Sequence, residues 1–121
     1  MSKSILVIED QEDGRRILHD LLTSAGYEVI EATTGEEGVI SAATHHPDLI
    51  LMDIGLPGID GYEATRRIKA NPGLRQIPII AVTSYALSGD DIKAFEAGCV
   101  GYVSKPFSPR ELLAKVREYL P

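Results

Sequence analysis

The chain has 121 residues, of which 44% are hydrophobic and 25% charged, as expected for one globular domain. Its formal net charge is −6 and no basic cluster is longer than two residues, which argues against a nucleic-acid partner because acidic proteins repel phosphate backbones. One cysteine cannot form an internal disulfide, and no apolar stretch suits a signal peptide or membrane span. We therefore expect a cytoplasmic protein without a membrane partner.

Short apolar runs alternate along the chain with longer segments of helical period. Three runs consist of consecutive apolar residues, which predicts strands buried on both faces, and a fourth run at 101–104 is weaker. Tyr27–Glu31 alternates between apolar and polar residues, which predicts an edge strand with one solvated face. The three continuous runs are Ile5–Ile8, Leu49–Met52 and Ile79–Val82.

Five segments of helical period complete the pattern, and two of them carry capping boxes at their starts. Thr34 is followed by Glu37, and Ser108 by Glu111, each at the spacing at which side chain and backbone cap one another. The predicted helices are Glu12–Ser24, Thr34–Thr44, Gly61–Ala70, Ser88–Ala97 and Ser108 to about Tyr119.

A strand followed by a helix, five times over, predicts an α/β fold with a parallel sheet and helices on both faces. Five strands suit the flavodoxin-like order 2-1-3-4-5. In that order ligands bind beyond the carboxyl ends of the strands, where the winding direction reverses. A start at Met1 and a last helix ending near Pro121 favour a stand-alone protein of one domain, residues 1–121.

Polar residues stand where the inner strands end. Glu9 and Asp10 follow the first run, Asp53 the second and Thr83 the third, and Lys105 comes just after the fourth. Because parallel strands share one carboxyl edge, we expect these side chains in one pocket. Three carboxylates at close range repel one another and favour a hard cation such as Mg²⁺, while the lysine adds a second positive charge.

Asp53 is the best candidate for a nucleophile in this pocket. It ends an apolar strand and precedes a loop, residues 54–61, with three Gly and one Pro, which is expected to turn sharply. With a cation and an ammonium to stabilise the transferring charge, a carboxylate here can attack phosphorus and form an acyl phosphate.

The whole chain resembles a response-regulator receiver domain of two-component signalling, and in particular the stand-alone receivers of chemotaxis and cell-cycle phosphorelays. Four motifs carry the resemblance in the family's order and spacing: Ile8–Asp10, Leu51–Gly61, Val82–Ser84 and Lys105–Phe107. The resemblance implies that Asp53 is phosphorylated from a phosphohistidine. It also implies that Glu9, Asp10 and Asp53 bind Mg²⁺ through their side chains, and Gly55 through its carbonyl.

The resemblance further implies how the signal is read. Thr83 would donate a hydrogen bond to the phosphoryl group, Lys105 would pair with it, and Tyr102 would swing inward as the aromatic switch residue. A half-buried packing role is the plainer alternative for this tyrosine. Receivers usually have a cis peptide bond before the proline that follows this lysine, here Pro106.

The implied partners are proteins. The phosphodonor would be a histidine kinase or histidine phosphotransferase that docks near the first helix. A downstream protein would bind the face formed by the fourth helix, fifth strand and fifth helix, and the chain would be a monomer or a phosphorylation-linked dimer. It would catalyse only its own phosphorylation and dephosphorylation. We hypothesise that Tyr85 slows the hydrolysis, which equal dephosphorylation rates in the wild type and Tyr85→Ala would exclude.

Three other functions compete with a phosphorylated switch. A flavodoxin-like cofactor binder needs a first loop that cradles phosphate, but this loop begins with acidic residues and lacks Gly-x-Gly-x-x-Gly. A dehalogenase-type phosphohydrolase would have a second Asp where this chain has Gly55, and it would turn over a general phosphatase substrate. A receiver-like scaffold that never accepts phosphate tends to lose the acidic pair, the Asp or the Lys, which this chain retains.

Overall fold

A computed structural model describes residues 2–84 and 90–121, in which strands and helices alternate. The strands are β1 (Ser4–Ile8), β2 (Glu28–Ala32), β3 (Leu49–Asp53), β4 (Ile79–Thr83) and β5 (Gly101–Ser104). The helices are α1 (Glu12–Ser24), α2 (Gly35–His45), α3 (Gly61–Ala70), α4 (Asp90–Ala97) and α5 (Pro109–Tyr119), with a 3₁₀ turn at Pro72–Leu74. The strands form one parallel sheet in the order β2-β1-β3-β4-β5, which confirms the predicted flavodoxin-like α/β fold.

Most elements begin and end within one residue of their predicted bounds. The exception is α4, whose predicted start at Ser88 lies outside the described residues. The capping box of α5 forms in full. The Ser108 hydroxyl accepts a hydrogen bond from the amide of Glu111, and the Glu111 carboxylate accepts one from the amide of Ser108. At α2 the Thr34 hydroxyl accepts the amide of Glu37 as predicted, but the Glu37 carboxylate accepts the amide of Thr33 instead of that of Thr34.

Helices cover both faces of the sheet. On one face α1 and α5 contribute Leu22 and Val116 to the core, and on the other α2, α3 and α4 contribute Ala42, Ile68 and Ala94. The apolar residues of β1, β3 and β4 are at most 1% exposed, which confirms strands buried on both faces. Among the helices in the described part of the chain, none has the length and apolar character needed to cross a membrane.

The edge strand β2 departs from its prediction in one respect. Its place at the edge is confirmed, but the expectation of one solvated face is wrong. Val29 packs on the side of α1 and α5 and Ile30 on the opposite side, because successive residues of a strand point to opposite faces and helices flank both. The exposed residues of this strand are Glu28 and Glu31.

The register of the sheet brings the strand ends to one edge. Ile8 at the end of β1 is paired with Met52, and Asp53 at the end of β3 is paired with Val82. Thr83 at the end of β4 is paired with Ser104. The residues that close or follow β1, β3, β4 and β5 therefore lie side by side at the carboxyl edge of the sheet.

Helix α2 depends on a close approach to β1, which gives a test of the packing. A Cβ added at Gly38 would lie 2.4 Å from Cδ1 of Ile8, whose side chain is fully buried. We expect Gly38→Ala to lower the free energy of unfolding by about 1 to 3 kcal/mol through overpacking, as measured by urea denaturation. Gly73→Ala is the matched control, because its added Cβ meets only the Asn71 side chain at 3.5 Å. Equal stability of the two variants would contradict this account of the α2–β1 contact.

Candidate functional site

Three carboxylates meet at the carboxyl edge of the sheet. One ligand oxygen from each of Glu9, Asp10 and Asp53 lies within 4.8 Å of the others. Glu9 is 1% exposed, and the other two acids are partly buried. An all-oxygen set of this charge and spacing fits a hard divalent cation such as Mg²⁺ better than it fits a softer metal.

Lys105 places a positive charge beside these acids. Its ammonium contacts Oε1 of Glu9 and lies 3.9 Å from Oδ1 of Asp53. The residue follows the last residue of β5, and its peptide bond to Pro106 is cis, as the resemblance implied. One ammonium among three carboxylates leaves the cluster with a net negative charge, so a bound cation would improve its charge balance.

The titration of Asp53 reflects its burial first and its acidic neighbour second. Burial, together with the charge of Glu9 and a hydrogen bond shared with Glu9, raises the pKa of Asp53 from 3.8 to about 7. The charge of Lys105 and the amide of Gly55, which donates to Oδ1 at 3.3 Å, lower this pKa but do not offset the burial. Without a cation, a substantial fraction of Asp53 is therefore protonated at neutral pH, and a protonated acid is a poor nucleophile.

Glu9 is held through both its backbone and its side chain. Its amide donates to the carbonyl of Ala32 at 3.0 Å, and its carbonyl accepts from Nη1 of Arg15 at 3.1 Å. Its Oε2 accepts from the amide of Gln11 at 3.2 Å, while Oε1 contacts Lys105. These contacts fix the position of the Glu9 carboxylate within the acidic cluster.

The contribution of Arg15 was missed by the sequence reasoning. Its guanidinium also reaches the carbonyl of Asp10 at 3.5 Å, and its Nε lies 3.7 Å from Oε1 of Glu31 on β2. It thereby ties the loop after β1 to the edge strand. The available signal was a basic residue in the first turns of α1, where the helix dipole favours acids instead.

The remaining predicted site residues lie on β4, β5 and the loop after β3. Thr83 is fully buried at the end of β4, and Tyr102 is half-buried and packs against the core on the side of α2, α3 and α4. Ala81, the register partner of Tyr102, belongs to the same core, and alternate strand residues share a face, so Thr83 and Tyr102 lie on the same side of the sheet. Gly55 is exposed beside Asp53, and Tyr85 lies outside the described residues.

A doubly wound parallel sheet with an acidic cluster and a lysine at its carboxyl edge is the arrangement of a receiver domain. The family model for the response regulator receiver domain matches residues 5–117. The chain is 42% identical over 120 residues to the polar-differentiation response regulator DivK of Brucella ovis, covering 99% of this chain and 98% of that protein.

Solved structures show the same relationship. The receiver domain of a sensor histidine kinase from Pseudomonas aeruginosa PAO1, which has a magnesium ion coordinated in its active-site cleft, matches with a TM-score of 0.92 and 38% identity, over 99% of this chain and 98% of that chain. Vibrio cholerae chemotaxis protein CheY4 matches with a TM-score of 0.93 and 25% identity, over 98% of this chain and 99% of that one. The chain therefore belongs to the response-regulator receiver family, the phosphoryl-accepting signalling domains of two-component systems.

The charge balance at Asp53 predicts a pH-dependent stability. The pKa of Asp53 is higher in the folded protein than in the unfolded chain, so the folded protein holds the proton on Asp53 more tightly. Proton binding at Asp53 therefore favours folding at low pH, and this stabilisation is lost as the pH rises from about 4 to about 7. Without metal, we expect Asp53→Asn to be more stable than the wild type by about 1 to 3 kcal/mol at pH 8, and by less at pH 5. Urea denaturation of both proteins in the presence of a chelator measures the difference.

Excess Mg²⁺ provides the control for this experiment. The cation offsets the repulsion in the wild type, so the advantage of Asp53→Asn at pH 8 should shrink when Mg²⁺ replaces the chelator. An advantage that is the same at both pH values would show that the charge of Asp53 is not its source.

Proposed function

We propose that Asp53 is the residue that accepts the phosphoryl group, from a phosphohistidine on a histidine kinase or histidine phosphotransferase. One observation carries this assignment: the Asp53 carboxylate shares the acidic cluster with Glu9 and Asp10 and lies 3.9 Å from the ammonium of Lys105. The negative charge of a phosphoryl group on Asp53 would therefore lie beside the ammonium of Lys105. In this proposal residues 1–121 act as one receiver domain.

We propose that Mg²⁺ is the cofactor, held by the side chains of Glu9, Asp10 and Asp53 and by the carbonyl of Gly55. The net negative charge of the cluster and the raised pKa of Asp53 support a cation here, as does the magnesium ion in the related Pseudomonas aeruginosa domain. When bound, Mg²⁺ neutralises charge on the cluster and on the transferring phosphoryl group.

The chain's own residues account for the transfer step. An ionised oxygen of Asp53 attacks phosphorus, so that a P–O bond forms while the P–N bond to the donor imidazole breaks. The electron pair of that bond stays on the imidazole nitrogen, and the product on this chain is an acyl phosphate. Lys105 stabilises the phosphoryl oxygens, and attack by water later returns the carboxylate and inorganic phosphate. We propose no turnover of a separate metabolite.

The proposed readout runs through β4 and β5. Thr83 donates its hydroxyl to a phosphoryl oxygen, and Tyr102, on the same side of the sheet, changes its packing in response. The face formed by α4, β5 and α5 then binds a downstream protein, either as a monomer or as a phosphorylation-linked dimer. Such a readout needs two packed arrangements close in free energy, which a half-buried aromatic ring can provide.

Phosphorylation by a small-molecule donor tests this function. We expect the chain incubated with acetyl phosphate and Mg²⁺ to gain the mass of one phosphoryl group, and we expect a chelator to abolish the gain because the acidic cluster then lacks its cation. Intact-protein mass spectrometry measures both results.

Two variants locate the modification. Asp53→Asn should show no gain, whereas Asp20→Asn, which removes an exposed carboxylate on α1, should be phosphorylated like the wild type. The absence of any gain in the wild type, with acetyl phosphate or with a phosphorylated histidine phosphotransferase, would favour a scaffold that never receives phosphate.

A further inference from the structure

Gly14 occupies an unexpected place in the first turn of α1. Glycine disfavours helix because it loses the most backbone entropy on folding, and α1 otherwise has a regular amphipathic sequence. The described glycines with positive φ are Gly26, Gly58 and Gly98, so the backbone at Gly14 does not itself require glycine. The surroundings of Gly14 offer a reason for glycine at this position.

The neighbour of Gly14 is the side chain of Glu9. A Cβ added at Gly14 would lie 3.2 Å from Oε1 of Glu9, which is closer than most such atoms pack, and 3.4 Å from its Cδ. Glu9 is 1% exposed, so its carboxylate has no solvent space into which it can retreat. Glycine at this position leaves the room that the carboxylate occupies.

The backbone of Glu9 cannot easily relieve such a contact. Its amide donates a hydrogen bond to the carbonyl of Ala32 on β2, and its carbonyl accepts a hydrogen bond from Arg15 on α1. The backbone of Glu9 is therefore held by two different elements. Its Oε2 is bonded to the amide of Gln11. A methyl group at Gly14 would therefore press on Oε1 of Glu9 and alter its contact with Lys105.

We propose that Gly14 is a positioning residue for the metal site, matched to the long side chain of Glu9. By leaving space in the first turn of α1, it lets the Glu9 carboxylate stand close enough to Asp10 and Asp53 for all three to share one cation. This inference rests on the proposed Mg²⁺ function of the cluster and extends it to a residue that touches no ligand. Mg²⁺ tolerates little departure from octahedral geometry, so a displacement of a few tenths of an ångström affects its binding.

Shortening the acid should remove the need for glycine. Aspartate lacks one methylene, so the Glu9→Asp substitution removes the carboxylate oxygen that would lie 3.2 Å from a methyl group at Gly14 and leaves room for ordinary van der Waals contact. The two substitutions are therefore coupled if Gly14 acts through Glu9, and independent if it does not. Gly14 also lines an apolar hollow together with Ile17 and Phe107. If glycine were needed only for the shape of that hollow, the two substitutions would show no such coupling.

The experiment is a double-mutant cycle on Mg²⁺ affinity, measured by NMR titration of backbone amides in the wild type, Gly14→Ala, Glu9→Asp and the double variant. We expect Gly14→Ala to weaken Mg²⁺ binding about fivefold, less than the loss of about 10-fold or more that follows removal of an outer-shell partner. In the Glu9→Asp background the same substitution should change the affinity by less than about twofold. The melting temperature of Gly14→Ala should be unchanged or higher, because alanine favours helix.

Ile17→Ala is the matched control, since it alters the same helix and the same hollow at a side chain that is 59% exposed. Its Mg²⁺ affinity should equal that of the wild type. Equal affinities of wild type and Gly14→Ala, or an equal loss in both backgrounds, would overturn the inference while leaving the metal site intact. A wild-type protein that binds no Mg²⁺ at all would instead reject the proposed cofactor, and the inference with it.

Discussion

The carboxylates of Glu9 and Asp53 are buried close together and repel each other. This repulsion is the interaction that sets the properties of the site. Glu9 is 1% exposed and the side chain of Asp53 12% exposed, and both contact or approach the single ammonium of Lys105. That arrangement costs stability in the metal-free protein and raises the pKa of Asp53. In the proposed function, the same arrangement makes the site sensitive to the charge of a bound cation or of a phosphoryl group.

The fold brings these side chains together. Apart from Ser4 at the start of β1, each inner strand is apolar until its carboxyl end, and the register of the parallel sheet sets those ends side by side. The sequence was sufficient to predict the convergence of these strand ends, because an apolar run that stops at Asp53 or Thr83 marks both a buried strand and the residue that reaches the edge of the sheet. The sequence did not predict the packing of the edge strand β2. Its alternation of apolar residues with glutamates indicated one solvated face, but Val29 and Ile30 pack on opposite faces against helices on both sides.

Within the site, the side chains proposed to bind the cation and the phosphoryl group were predictable from the sequence, and the residues that hold those side chains were not. Glu9 and Asp53 stand at strand ends, which topology alone brings together. Arg15, Gln11 and Gly14 act through the path of the loop that joins β1 to α1 and through the angle at which the helix leaves it. Hydrophobic periodicity carries no information about that angle, so the hydrogen bonds to the Glu9 backbone and the space beside its carboxylate became visible only in three dimensions.

The titration of the Asp53 carboxyl carbon, followed by ¹³C NMR in the metal-free protein and again with saturating Mg²⁺, tests the central claim most directly. We predict a pKa near 7 without metal and a lower pKa with it, because the positive charge of the cation stabilises the ionised carboxylate of Asp53. A pKa near the ordinary value of 3.8 in the metal-free protein would contradict it, since Glu9 and burial would then impose no cost on the charge of Asp53.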